Sequence, residues 1–238
     1  MSNRKNVSTN TRSATRATII NALLLVTGTY GLYKCTMVHL PPTLNSAGHK
    51  QFLTNISLAI SLVYNLLTLL TRGHSRVVEE YVFPVSLILE TVVALVYWPL
   101  KIFFVHLIYQ QSANPLKKRG TVLPLHVDMC LHLFPSVGLL FQYLFLRRSS
   151  FSLSKRKVFL VCILLGTVYK WYLQILVKPE LGAKYPYPFL DISEPWKSIV
   201  MYTVTLIAWG CYVGLQNLKR HHRGLVHKRA TARLWKMF

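Results

Sequence analysis

The sequence predicts an all-α polytopic membrane protein, a bundle of six transmembrane helices with both termini cytosolic. Three observations predict it. The chain of 238 residues is 52% apolar and only 15% charged, where soluble domains carry about 25% charged residues. The apolar residues gather into six runs of roughly 20 residues, the length that crosses a bilayer. Basic residues outnumber acidic ones 28 to 7 and sit unevenly in the segments between the runs.

The runs are Thr18–Val38, Phe52–Leu70, Val82–Leu107, Leu123–Leu146, Val158–Val177 and Trp196–Leu218. With a cytosolic N-terminus, 18 Lys and Arg fall on the cytosolic side and 6 on the other. That bias sets the orientation, and an even number of spans agrees with it. Residues 1–17 read as a disordered basic cytosolic tail, with the first helix retained because no small-residue cleavage site follows it. Residues 18–218 form the transmembrane domain. Residues 219–238 are a basic cytosolic tail, either solvated or lying as an interfacial helix. The net charge of +21 is explained by anchoring to anionic head groups, so no nucleic-acid partner is expected. Cys35, Cys130, Cys162 and Cys211 are scattered through the spans without a C-x-x-C pair, which argues against disulfides and zinc.

Polar residues inside the spans mark where function is to be sought, because they are costly in lipid. At ~100° per residue, Thr54, Ser57, Ser61, Asn65 and Thr68 fall on one stripe of the second span. On the third, Ser86, Glu90, Tyr97 and Lys101 share a face. Glu90 and Lys101 are ~16 Å apart along the helix, too far to pair, so each needs a partner elsewhere unless Lys101 snorkels. On the fourth, Asp128 and His132 are one turn apart. Such a carboxylate accepts the imidazole N–H and fixes its tautomer, or else the pair only ties helices together. His126 points the other way, so no metal site is expected. The fifth span carries Lys170 and Gln174, and the sixth a stripe of Ser198, Tyr202, Thr205, Trp209, Tyr212 and Gln216. The result is a bundle with a partly polar interior, suited to an amphipathic ligand.

A hydroxyl nucleophile needs a base, and the base works best when oriented. Thr54 supplies the hydroxyl and His132 the imidazole. From Leu123, however, His132 lies ~14 Å deep at 1.5 Å per residue, deeper than Thr54. The sequence contains no G-x-S-x-G elbow, multi-His box or Gly-rich phosphate loop.

Gln51-Phe52-Leu53-Thr54, His132 and Tyr187-Pro188-Phe189-Leu190-Asp191, in that order, resemble the androgen-induced protein family. It groups the androgen-induced gene 1 protein with the androgen-dependent TFPI-regulating protein, and the resemblance runs from about Ala17 to Leu218. It implies a six-span threonine hydrolase cleaving fatty acid esters of hydroxy fatty acids, with Thr54 and His132 catalytic and Gln142 at a position acidic in the family. Asp128 is expected to orient His132, and Asn55 to be an oxyanion donor. No cofactor or metal is expected. The partners are the lipid ester substrate and membrane lipids, and the membrane implied is the endoplasmic reticulum. Two other readings stay open: a transporter or channel using Glu90, Lys101, Asp128 and Lys170 as intramembrane charges, and a catalytically inactive scaffold.

Overall fold

The computed structural model describes residues 2–108, 123–147 and 149–235, with side chains for residues 13–108, 123–147 and 149–224. The basic loop at Lys117, Lys118 and Arg119 lies outside the described residues. All regular elements among the described residues are helical. They are α1 (Ser2–Thr36), α2 (Pro42–Asn45), α3 (Leu53–Leu70), α4 (Phe83–Phe103), α5 (Leu125–His132), α6 (Phe134–Phe141), α7 (Lys155–Leu176) and α8 (Trp196–Trp235).

Among the described residues, four helical segments are long and apolar enough to cross a membrane: Leu53–Leu70, Val78–Phe103, Lys155–Leu181 and Trp196–Gly224. A fifth counts if Leu125–His132 and Phe134–Leu146, bent by 41°, make one span. Six had been expected. The first run falls short because Asn21, Thr27, Thr29 and Lys34 dilute its apolar residues. The helix nevertheless forms, extends N-terminally beyond Thr18, and packs on α3, α5 and α6.

The fourth run, expected to be continuous, breaks at Leu133, and the cause is Pro135. Proline lacks the N–H for the helical ladder, and its ring clashes with the carbonyl four residues back. Leu133 leaves the helical region (φ −121°, ψ −56°) and Pro135 restarts the chain in the first turn of α6. The break ends α5 at His132, whose carbonyl accepts the Trp98 indole N–H at 3.4 Å.

Leu24, Tyr64, Phe83, Leu87, Leu139 and Tyr143 fill the main core between α1, α3, α4 and α6. Polar side chains close its ends. Gln142 donates to Asn21 at 2.9 Å, tying the second half of the broken span to α1. Lys219 of α8 donates to the carbonyls of Tyr143, Leu144 and Arg147 at 2.5, 2.9 and 2.6 Å. A cation at the last carbonyls of a helix satisfies groups that lack helical partners and opposes the dipole. Arg147 in turn pairs with Glu79 and lies over the Phe83 ring. α7 starts at a Ser154 cap and pairs with α8. Its outer face exposes Leu160, Leu164, Val168 and Trp171, as a lipid-facing helix should.

α1 approaches α5 closely at Gly31, where an added Cβ would lie 2.8 Å from Cys130 Cβ. Gly31→Val should push these helices apart and cost about 1–3 kcal/mol. The measurement is the thermal unfolding midpoint in detergent, expected to fall by several degrees.

Candidate active site

A cavity of about 120 Å³ lies between the end of α1, the first turn of α3, Tyr97 of α4, α5 and the Pro186–Tyr187 loop. One ordered water needs only ~10–15 Å³, so there is room for part of a ligand. Most of the wall is apolar, with Leu40, Leu44, Ile108, Leu123 and Leu131 among the lining residues. The polar groups come from a short set that includes Thr54, Asn55, His132 and Tyr187.

Thr54 and His132 therefore line one chamber, despite the difference in depth that helix counting suggests. The chain between α1 and α3 accounts for this. It folds back through α2 and a tight turn at Gly48–Gln51, placing Leu40, Leu44 and His49 in the cavity wall. Thr54 is thereby covered, only 9% exposed. Gln51 fastens this cover by donating to the carbonyls of Leu44 and Gly48, both at 3.0 Å. Among the described residues, no hydrogen bond joins Thr54 to His132. The Thr54 hydroxyl lies 3.5 Å from the Tyr187 hydroxyl.

His132 is 5% exposed and rigidly held. Its ring stacks on Tyr97 with centroids 3.5 Å apart and planes at 5°. Nδ1 lies 3.1 Å from the backbone carbonyl of Asp128. A carbonyl oxygen only accepts, so Nδ1 carries the hydrogen and Nε2 keeps its lone pair. Asp128 meets His132 through this backbone carbonyl, and its carboxylate oxygen is 3.7 Å from Nδ1. That carboxylate is engaged elsewhere. It accepts the Tyr97 hydroxyl at 2.8 Å and pairs with Lys101. Lys101 thus has a partner on another helix.

Asn55 lines the cavity, and its amide makes two hydrogen bonds. Nδ2 donates to the His49 carbonyl at 2.8 Å, and Oδ1 accepts the Cys35 thiol at 3.6 Å. Asn55 thus braces the cover, and the Tyr187 hydroxyl also stands beside Thr54. The sequence carried Tyr187 only as part of a motif, and no periodicity could bring a loop residue 133 positions away to Thr54. His49 was missed too: Nε2 bonds the Val38 carbonyl at 3.1 Å, while Nδ1 is buried without a protein partner. Lys170 lies near Ser198 and Glu194, at 2.5 and 3.6 Å, outside the cavity wall.

The family model for FAR-17a/AIG1-like proteins matches residues 17–220, a stretch holding every residue of this cavity. The chain belongs to the FAR-17a/AIG1-like family. It is 40% identical over 218 residues to the UPF0641 membrane protein YHR140W of Saccharomyces cerevisiae, covering 85% of this chain and 90% of that protein. It is 31% identical over 173 residues to the UPF0641 membrane protein PJ4664.05 of Schizosaccharomyces pombe, covering 71% and 74%. No solved structure matches this FAR-17a/AIG1-like chain.

Asp128→Ala in this family member removes the carboxylate that pairs with the Lys101 ammonium and accepts the Tyr97 hydroxyl. Removing a buried acceptor from such contacts costs about 1–3 kcal/mol, so the unfolding midpoint should drop. Combining it with Lys101→Met, which removes the stranded charge, should recover part of the loss.

Proposed function

We propose that the protein is an integral membrane lipid hydrolase cleaving fatty acid esters of hydroxy fatty acids, with Thr54 as nucleophile and His132 as base. The observation that carries this reading is the shared cavity, in which a buried threonine hydroxyl and an imidazole of defined tautomer face a largely apolar chamber. The resemblance to the androgen-induced protein family supplies the substrate class.

In this mechanism the acyl chain lies along the apolar wall. His132 Nε2 takes the Thr54 proton as Oγ bonds to the ester carbonyl carbon. The Tyr187 hydroxyl donates to the oxygen that gains charge. The C–O bond to the hydroxy fatty acid then breaks, and its oxygen receives the proton from His132. A water deprotonated by the same nitrogen attacks the acyl-threonine and releases the second acid, restoring Thr54. Hydroxyl attack requires Thr54 and His132 to draw together once substrate fills the cavity; apo geometry at such sites is often looser than in the complex.

The same reading has six spans, both termini in the cytosol and residence in the endoplasmic reticulum. The excess of basic residues on one side supports the orientation. Packing of α1 along α3 and α5 supports counting it as a span.

Purified protein should hydrolyse a fatty acid ester of a hydroxy fatty acid. Thr54→Ala should abolish turnover, and His132→Ala should lower it ~10²–10⁴-fold. Normal turnover in either folded variant removes that residue from the mechanism. Tyr187→Phe, which keeps the ring and deletes the donor, should lower kcat ~10²-fold with little change in KM.

A further inference from the structure

The cavity does not use the lower part of the polar stripe on α3. Glu90 of α4 faces that stripe and is 0% exposed. Its Oε1 accepts the Ser61 hydroxyl at 2.9 Å, while Oε2 has no protein partner. The Ser57 and Ser86 hydroxyls are likewise fully buried, and Ser86 has no hydrogen-bond partner. Ser57 precedes Ser61 by one turn on α3 and lies within hydrogen-bonding reach of the Glu90 carboxyl. Ser86 precedes Glu90 by one turn on α4, so it presents its oxygen on the same face. Asn65, one turn past Ser61, donates to the Ser61 carbonyl at 2.7 Å and leaves Oδ1 buried and unpartnered.

Four other carboxylates have a basic partner. Asp128 pairs with Lys101, Glu79 with Arg147, Glu80 with Arg76 and Glu194 with Lys170. Among the described residues, no basic side chain comes within ion-pair distance of Glu90. An isolated carboxyl in an apolar interior either takes up a proton or gains a countercharge. The groups around it are neutral oxygens, the donors that hard cations prefer. A single carboxylate balances a single positive charge, whereas a divalent ion would leave a net charge buried. Among the described residues, no group of three or more His, Cys, Asp or Glu side chains forms that would suit a divalent metal.

We infer that Glu90, Ser57, Ser61 and Ser86 form a binding site for a monovalent hard cation, sodium, between α3 and α4. The ion bridges two helices and stabilises the wall on which Thr54 and Tyr97 are mounted. This site stands independently of the hydrolase reading.

The test is thermal unfolding of the purified full chain in detergent, with sodium chloride titrated against choline chloride at constant ionic strength. The midpoint should rise in sodium and saturate, by on the order of 5–10 °C at a hundredfold excess over Kd. Glu90→Gln keeps the side-chain shape and an acceptor for Ser61, and it should melt identically in the two salts. Ser57→Ala should raise the half-saturating sodium concentration at least threefold. Equal melting of the wild-type protein in sodium and choline would overturn the proposal, pointing to a neutral, hydrated carboxyl instead. So would a sodium response that survives in Glu90→Gln, or a half-saturating concentration unchanged in Ser57→Ala.

Discussion

The Asp128 carboxylate is wholly buried inside a membrane bundle, and the arrangement around the cavity depends on how that charge is satisfied. Lys101 supplies the countercharge and Tyr97 the hydrogen bond, both from α4. Together they lock α4 to α5. The lock sets Tyr97 flat against the His132 ring, and the Asp128 carbonyl then holds Nδ1. One residue thereby uses its side chain to join two helices and its backbone to select a tautomer. Breaking a buried pair on one side leaves the other partner stranded, which makes this the most fragile point of the site.

Pro135 contributes in a different way. By ending α5 immediately after His132, it frees helical backbone groups inside the bundle, where each must find a partner. The Trp98 indole meets one of them at the His132 carbonyl. His132 is thus held through its ring, its Nδ1 and its own carbonyl, by residues from two helices. Such support is what a base needs if it is to act from a fixed position.

Much of this architecture was legible in the residues. The apolar runs marked the helices, and the polar stripe from Thr54 to Thr68 marked the face that turns inward. Asp128 and His132 could be paired from spacing alone. The split of the fourth run was also written in the sequence at Pro135, but a proline inside an apolar run does not say whether a helix bends or ends. The first run was harder, since Asn21 and Lys34 dilute its hydropathy while Asn21 is used in a bond to Gln142. The contacts of Tyr187 and His49 depend on loops folding over the bundle end. Periodicity carries no information about loops, so both residues entered the site only with the three-dimensional structure. Asn55, next to Thr54 in sequence, braces the cover through the His49 carbonyl, a contact that spacing could not show.

The central claim is that Thr54 is a nucleophile activated by His132. Its most direct test is covalent labelling of the purified protein with a lipid-mimetic fluorophosphonate, followed by mapping of the modified residue by mass spectrometry. The account predicts a single adduct on Thr54 that is lost in a folded His132→Ala variant. An adduct on another residue, or labelling of Thr54 at an undiminished rate without His132, would contradict it.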